Sequence, residues 1–227
     1  MTMNLALFDL DHTLLPLDSD NEWGKFLVRR GVVDAEAFGA ANARFYEQYQ
    51  AGTLDPDEYL AFALGNLARF PRAELDALQQ EFMQEVITPA LLPAAFELLE
   101  QHRRQGDLIA IVTATNRYVT TPIAKALGVE HLIAATPAEL PDGRISGKVL
   151  DQHCNGAGKI QHTQNWLSGM GKTLADFSSS HFYSDSHNDI PLMSVVSHPI
   201  ATNPNARLEQ HALANGWPLL RLFQAIQ

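Results

Sequence analysis

Leu5-Ala-Leu-Phe-Asp-Leu-Asp-His-Thr-Leu-Leu15 drives a short apolar run straight into two carboxylates spaced one residue apart. The unbroken run from Leu5 to Phe8 has the pattern of a strand buried on both faces, as strands of a parallel sheet are. Asp9 and Asp11 stand where that strand ends. In open α/β sheets the carboxyl ends of the strands open onto the crevice where ligands bind, so acids there are placed for chemistry. Period-two alternation sends both side chains off the same side of the chain. Carboxylates that close repel unless a cation or a proton lies between them. The plainer alternative, a helix N-cap or a solvated loop acid, fits the D-x-D-x-T spacing less well.

Working outward, Asp18-Ser-Asp-Asn-Glu22 breaks the strand period and caps a helix that carries Trp23, Phe26 and Leu27 and ends at Gly31. Asp34 opens a second helix, with Phe38, Ala41, Phe45, Tyr46 and Tyr49 at helical spacing as far as Gly52. Asp55-Pro56 opens a third with proline in its first turn, and Pro71 a fourth through Leu75, Leu78, Phe82 and Val86. Residues 17–88 therefore read as four strand-free helices, each with one apolar stripe, the pattern of a small bundle packed on itself. From Thr88-Pro89 the strands return. A helix ends near Gly106, and Leu108-Ile-Ala-Ile-Val112 is a second buried strand with Thr113 at its end. A helix over 116–127, a strand from Leu132 to Ala135 and a hairpin with a tight primed turn at Asp142-Gly143 follow. After them come a helix from Gly158-Lys159, a strand at His181-Phe-Tyr183, a helix from Asp189 to Val196 and a strand at Pro199-Ile-Ala201. Strands alternating with helices predict an α/β fold with a doubly wound, Rossmann-like parallel sheet. The expected division is a core of 1–16 and 89–227, with a helical cap, 17–88, inserted after the first strand and lying over the sheet's carboxyl edge.

The composition narrows the function class. With 227 residues and 46% hydrophobic content, the chain suits one large domain or a domain with a smaller insertion. A formal charge of -10, with no basic run, argues against a nucleic-acid surface. The single cysteine, Cys154, excludes an intrachain disulfide and fits a reducing compartment. No signal-peptide pattern opens the chain, and the apolar runs are too short to span a bilayer. A cytoplasmic protein with no membrane partner is expected.

Four polar groups recur at strand ends or just after them: Asp9 with Asp11, Thr113, Lys159, and Asp185 with Asp189. These types suit phosphoryl transfer. A carboxylate, Asp9, can attack phosphorus and split hydrolysis into two steps through an aspartyl-phosphate. A second carboxyl, Asp11, held protonated beside like charges, can serve the leaving alkoxide and then the attacking water. Mg²⁺ prefers hard oxygen ligands, few carboxylates and several waters. It would join Asp9 to Asp185, with Asp189 a direct or water-mediated ligand. Thr113 and Lys159 would hold the phosphoryl oxygens, which is most of what this reaction asks of a protein.

The order Asp9-Leu-Asp11-His-Thr13, Thr113, Lys159 and Asp185-Ser-His-Asn-Asp189 resembles the four motifs of the haloacid dehalogenase-like hydrolase superfamily, over the whole chain. It is closest to the phosphoserine phosphatase subgroup, which carries a helical cap between the first two motifs. The run from Phe8 through Trp23, with Thr113-Ala-Thr-Asn-Arg117 and Tyr183-Ser-Asp-Ser-His-Asn-Asp189, is similar to bacterial histidinol-phosphatases. The resemblance implies that the Asp11 carbonyl completes the metal site, and that Ala114 and Asn188 lie at the phosphate. Where phosphoserine phosphatases carry Ser-Gly-Gly, this chain has Thr113-Ala-Thr115, which argues against serine phosphate. A dehalogenase would need neither Asp11 nor Asp185. A phospho-receiver domain would place its phosphorylated aspartate before the Thr and Lys, and a phosphomutase stays open.

Selectivity is then expected from the helical segment. Asp18, Asp20 and Glu22 begin it and could pair with a cationic group, or merely cap the helix. The resemblance places Asp18 where phosphoserine phosphatases grip the substrate amine, and makes Arg44 the candidate for a substrate carboxylate. The expected substrate is a small amine-bearing phosphomonoester, L-histidinol phosphate first and O-phospho-L-serine second. Gly169-Met-Gly-Lys-Thr173 lacks the first glycine of a nucleotide-binding loop, and no histidines pair at metal-ligand spacing.

Overall fold

A computed structural model describes residues 3–223. β1 (Leu5–Phe8) is buried at every position, as its unbroken apolar run requires. The chain then turns and builds α1 (Ser19–Arg29), α2 (Ala35–Ala51), α3 (Pro56–Leu67) and α4 (Arg72–Phe82) without an intervening strand. Short acidic side chains start three of them. Asp18 accepts from the amides of Asp20 and Asn21, Asp34 from that of Ala37, and Asp55 from those of Asp57 and Glu58. Each such cap is worth about 1 kcal/mol of helix stability. The apolar stripes meet in an aromatic interior, with Trp23 edge-on to Phe82 at 5.2 Å and Phe45 against Phe62 at 5.1 Å.

The fourth helix does not stop before Thr88. It continues through a widened turn, Met83–Ile87, in which Thr88 N bonds to Met83 O, into α5 (Thr88–Ala90). A turn of that width accommodates Pro89, whose missing amide and ring a regular α-turn rejects. The end of the helical segment therefore lies at Ala90 rather than residue 88.

Then follow α6 (Pro93–Gln105), β2 (Leu108–Val112), α7 (Arg117–Ala126), β3 (His131–Ile133), β4 (Pro137–Glu139), β5 (Ile145–Val149) and α8 (Ala157–Gly169). β6 (Ser180–Ser184), α9 (Ile190–Met193), β7 (His198–Thr202), α10 (Ala206–Asn215) and β8 (Leu219–Leu220) complete the order. Six strands form one parallel sheet in the order β3-β2-β1-β6-β7-β8. This is the doubly wound α/β architecture that the alternation predicts. From β1 the chain fills the sheet toward β3, then returns and fills it from β6 to β8. The direction reverses between β1 and β6, so the crevice of a switch point opens beside Asp9 and Asp185.

Three local expectations are corrected. The β4–β5 hairpin does not turn through a two-residue primed turn. Gly143 N bonds to Leu140 O, which puts Pro141 at a central position, and proline cannot take the positive φ a primed turn needs. Gly143, at φ 82°, follows it. Asp189 to Val196 is not one helix: His187–Asp189 is a tight 3₁₀ turn and α9 holds only four residues. α10 and β8 lie beyond the last element expected. Among the described residues no single helix is long and apolar enough to cross a membrane.

Candidate active site

β1 delivers Asp9 directly: its amide donates to Tyr183 O at 2.9 Å, carrying the ladder to β6 one residue further. The next residues curl back on themselves, with the amides of Thr13, Leu14 and Leu15 all donating to Leu10 O. Asp11's carbonyl is thereby left to another partner. His12 sits in the left-handed region at φ 56°, a conformation that strains a residue with a Cβ, and Asn203 Nδ2 donates to its carbonyl at 3.0 Å. Asp185 N donates to Thr13 Oγ1 at 3.1 Å. The threonine that closes the first motif thus ties the loop after β1 to the loop after β6, a role its sequence position did not reveal.

Lys159 stands among these carboxylates. Its Nζ donates to Asp9 Oδ1 at 2.9 Å and to Asp189 Oδ2 at 2.7 Å, and Ser184 Oγ donates to the same Asp189 oxygen at 2.6 Å. All of these side chains are buried, as is Asp185. Burial alone would lower the lysine's pKa, but Asp189 and Asp9 outweigh it and hold the ammonium charged. Burial, then the charges of Asp9 and Asp189, push Asp185 well above the usual carboxylate range. Asp9 and Asp189 share one ammonium, and Asp185 is buried beside them. Gly158, just before the lysine, lets the start of α8 pack against the preceding loop, because a Cβ there would lie 2.5 Å from His153 O.

Asp11 has different company. Ser19 N donates to its Oδ1 at 2.7 Å and Thr115 Oγ1 to its Oδ2 at 2.8 Å. Burial and then the charge of Asp18 push its pKa up to about 6, against the lowering effect of those hydrogen bonds. Thr113 is buried at the end of β2, with Oγ1 accepting from Thr115 N at 3.1 Å. Thr115, read from sequence only as a departure from a glycine-rich pattern, proves to be Asp11's hydroxyl partner.

These groups floor a cleft of about 900 Å³ whose other wall is formed by α1, α2 and α3. Asp18, Asp20, Ala114 and Asn188 line it. Asp18 Oδ1 is occupied as the α1 cap, while Asp20 Oδ2 accepts from Tyr59 Oη at 2.7 Å. Burial raises Asp20 to about 7; the Tyr59 hydrogen bond lowers it, and Asp18 and Asp11 add to the rise. Among the described residues no lysine or arginine pairs with Asp11, Asp18 or Asp20. Arg44 does not belong to the cleft. It is exposed, pairs with Glu58 at 3.0 Å and lies over the Phe45 ring. The α2 stripe that faces the cleft is Asn42, Phe45, Tyr46 and Tyr49, and position 44 falls off that face. Asn188 N donates to Ser186 Oγ, so the loop after β6 is braced by its own serines.

The oxygen donors fit a small hard cation. Asp9 and Asp185 lie within hydrogen-bond reach of each other and repel, and the Asp11 carbonyl is unused by its turn. Magnesium typically takes one or two carboxylates and fills the rest of its shell with water and substrate oxygens. Asp189 Oδ2 is engaged by Lys159 and Ser184. Among the described residues no three His, Cys, Asp or Glu side chains form a ready ligand set.

Residues 6–194 match the haloacid dehalogenase-like hydrolase family model. The chain is 41% identical over 217 residues to the histidinol-phosphatase of Neisseria meningitidis serogroup C (strain 8013), covering 96% of this chain and 98% of that protein. A crystal structure of a protein of unknown function from Bordetella pertussis Tohama I superposes with a TM-score of 0.93 at 46% identity, over 98% of this chain and all of the other. A substrate-bound phosphoserine phosphatase superposes with a TM-score of 0.69 at 17% identity, over 97% and 93%, a likeness of fold.

Proposed function

The chain belongs to the haloacid dehalogenase-like hydrolase family and is a phosphatase, and from that premise we propose that it hydrolyses a small amine-bearing phosphomonoester, L-histidinol phosphate. The reading rests on Asp11, Asp18 and Asp20, which line the cleft with no lysine or arginine paired to them among the described residues, and on Lys159, which lines the same cleft and would draw phosphate. A dianionic phosphate and a cationic amine on one small molecule match that polarity. The similarity to a histidinol-phosphatase along the full length supports the same choice.

In the mechanism we infer, Asp9 attacks phosphorus, and the bond from phosphorus to the leaving alkoxide breaks. Asp11, poised near pH 6, gives its proton to that alkoxide. It then takes a proton from the water that attacks the aspartyl-phosphate, and inorganic phosphate departs. Lys159 stays charged throughout and, with the Thr113 hydroxyl, holds the phosphoryl oxygens. Asp9, Asp185 and the Asp11 carbonyl would hold Mg²⁺, which supplies charge stabilisation and orientation of the phosphoryl group. Asn188 and Ala114 are assigned to the phosphate side, and Asp20, with Asp18, to the amine. The segment 17–88, extended to Ala90, acts as a cap on the core formed by 1–16 and the remainder, excluding stray water. The single cysteine supports a cytoplasmic location.

O-Phospho-L-serine is the second reading, favoured by Arg207, which lines the cleft and could take its carboxylate. Steady-state kinetics with Mg²⁺ over a panel of phosphomonoesters separates the two. We expect L-histidinol phosphate to lead, with loss of turnover on chelation. Faster turnover of neutral sugar phosphates than of either amine would refute the cap assignment.

A further inference from the structure

We propose that Tyr49 is a positioning residue, through which the helical cap is registered on the catalytic carboxylates. It stands in the last turn of α2, on the stripe that faces the cleft. Its hydroxyl lies 3.0 Å from Ser186 Oγ, a contact across 137 residues of sequence and from one side of the cleft to the other. Ser186 immediately follows Asp185.

From there the hydrogen bonds run without a break to the nucleophile. Ser186 Oγ also receives Asn188 N at 3.3 Å, and Ser186 N donates to Ser184 Oγ at 3.1 Å. Ser184 Oγ donates to Asp189 Oδ2 at 2.6 Å, the oxygen that also takes Lys159 Nζ, and Lys159 reaches Asp9 at 2.9 Å. Burial raises the phenol's pKa against the lowering effect of the Ser186 hydrogen bond, and the charges of Asp185, Asp9 and Asp189 add to the rise, so the group stays neutral and shares a hydrogen with Ser186 Oγ. A phenylalanine would fill the same space on this wall. The hydroxyl, not the ring, makes the hydrogen bond between the cap and the loop that carries Asp185 and Asp189. When the cap lifts, Ser186 loses that partner, and the serines that aim Asp189 at Lys159 are less firmly held. Full alignment of Asp9 is thereby tied to a seated cap.

The inference rests on Asp9 being the nucleophile, which Asp9→Asn tests separately: turnover by that variant refutes the nucleophile, whatever Tyr49 does. The test of Tyr49 is a double-mutant cycle in the full-length protein with Mg²⁺, assayed on its fastest phosphomonoester. Tyr49→Phe should lower kcat about five- to tenfold, the worth of one hydrogen bond, while KM stays within twofold and the urea midpoint is unchanged. Ser186→Ala should lower kcat at least as much, because Asn188 N also loses its acceptor. Adding Tyr49→Phe to it should change kcat by less than twofold, and Ser186→Thr should recover most of the rate. A Tyr49→Phe kcat within twofold of wild type, or losses that multiply in the double variant, would overturn the proposal.

Discussion

The two ends of the cleft hold carboxylates in opposite circumstances. On the floor, Asp9 and Asp189 share the Lys159 ammonium, and Asp189 has the Ser184 hydroxyl besides. Toward the helical wall, Asp11 on the loop after β1 joins Asp18 and Asp20, and among the described residues these three meet only amides, a threonine hydroxyl and a tyrosine phenol. Asp189 and Asp9 hold the Lys159 ammonium charged, while burial and the neighbouring carboxylates raise Asp185. Burial first, and then the neighbouring carboxylates, raise two of these acids, Asp11 to about 6 and Asp20 to about 7. A group fixed in charge suits a nucleophile or an anchor; one that titrates near neutrality suits proton transfer or the reception of a cation.

The contrast breaks most visibly at Lys159. Lys159→Met should strand two buried carboxylates and destabilise the fold by about 3–5 kcal/mol, read as a lowered urea midpoint, with turnover lost. Asp11→Asn comes next. It should lower kcat on an alkyl phosphate by about 10²–10⁴-fold and spare much more of the rate on p-nitrophenyl phosphate, whose leaving group needs no proton. Equal losses on both would remove Asp11 from proton transfer.

A smaller effect concerns stability against pH. Asp20 has a folded pKa of about 7, above its unfolded value of 3.8. The folded state therefore binds the extra proton between those values, and Asp20's contribution to stability is complete below the unfolded pKa and is lost as pH rises through the folded one. Asp20→Asn should flatten the fall in unfolding free energy between about pH 4 and 7, measured by urea titration. The smallest change is Arg44→Ala, expected to leave kcat/KM within about twofold, since an exposed pair with Glu58 contributes under about 1 kcal/mol.

The floor was far more legible in the sequence than the wall. Asp9, Thr113, Asp185 and Asp189 sit at or just after the ends of buried strands, visible as the points where apolar runs stop, and Lys159 lies in the first turn of α8. The helices 17–88 were equally plain, because caps and Gly52 mark their limits. What the helices face is set by packing between elements, which no local pattern reports. Even so, the spacing of Asn42, Phe45, Tyr46 and Tyr49 carried enough periodicity to have excluded Arg44. Thr13, Thr115 and Ser186 act through contacts with residues distant in sequence, and a lone hydroxyl residue gives no local sign of its partner. Pro141 in the hairpin was a readable warning against a primed turn. β8, at two residues, is too short for any period to show.

The division between floor and wall is tested most directly by one ratio: kcat/KM for L-histidinol phosphate over that for a neutral phosphomonoester of similar size, in wild type and in Asp20→Asn. A wild-type ratio of about 100 or more, falling about tenfold in the variant with the neutral substrate's rate unchanged, is the expected result, since a desolvated charge pair contributes about 1.5–3 kcal/mol. A ratio near one in the wild type, or a variant that loses both substrates equally, would contradict the account.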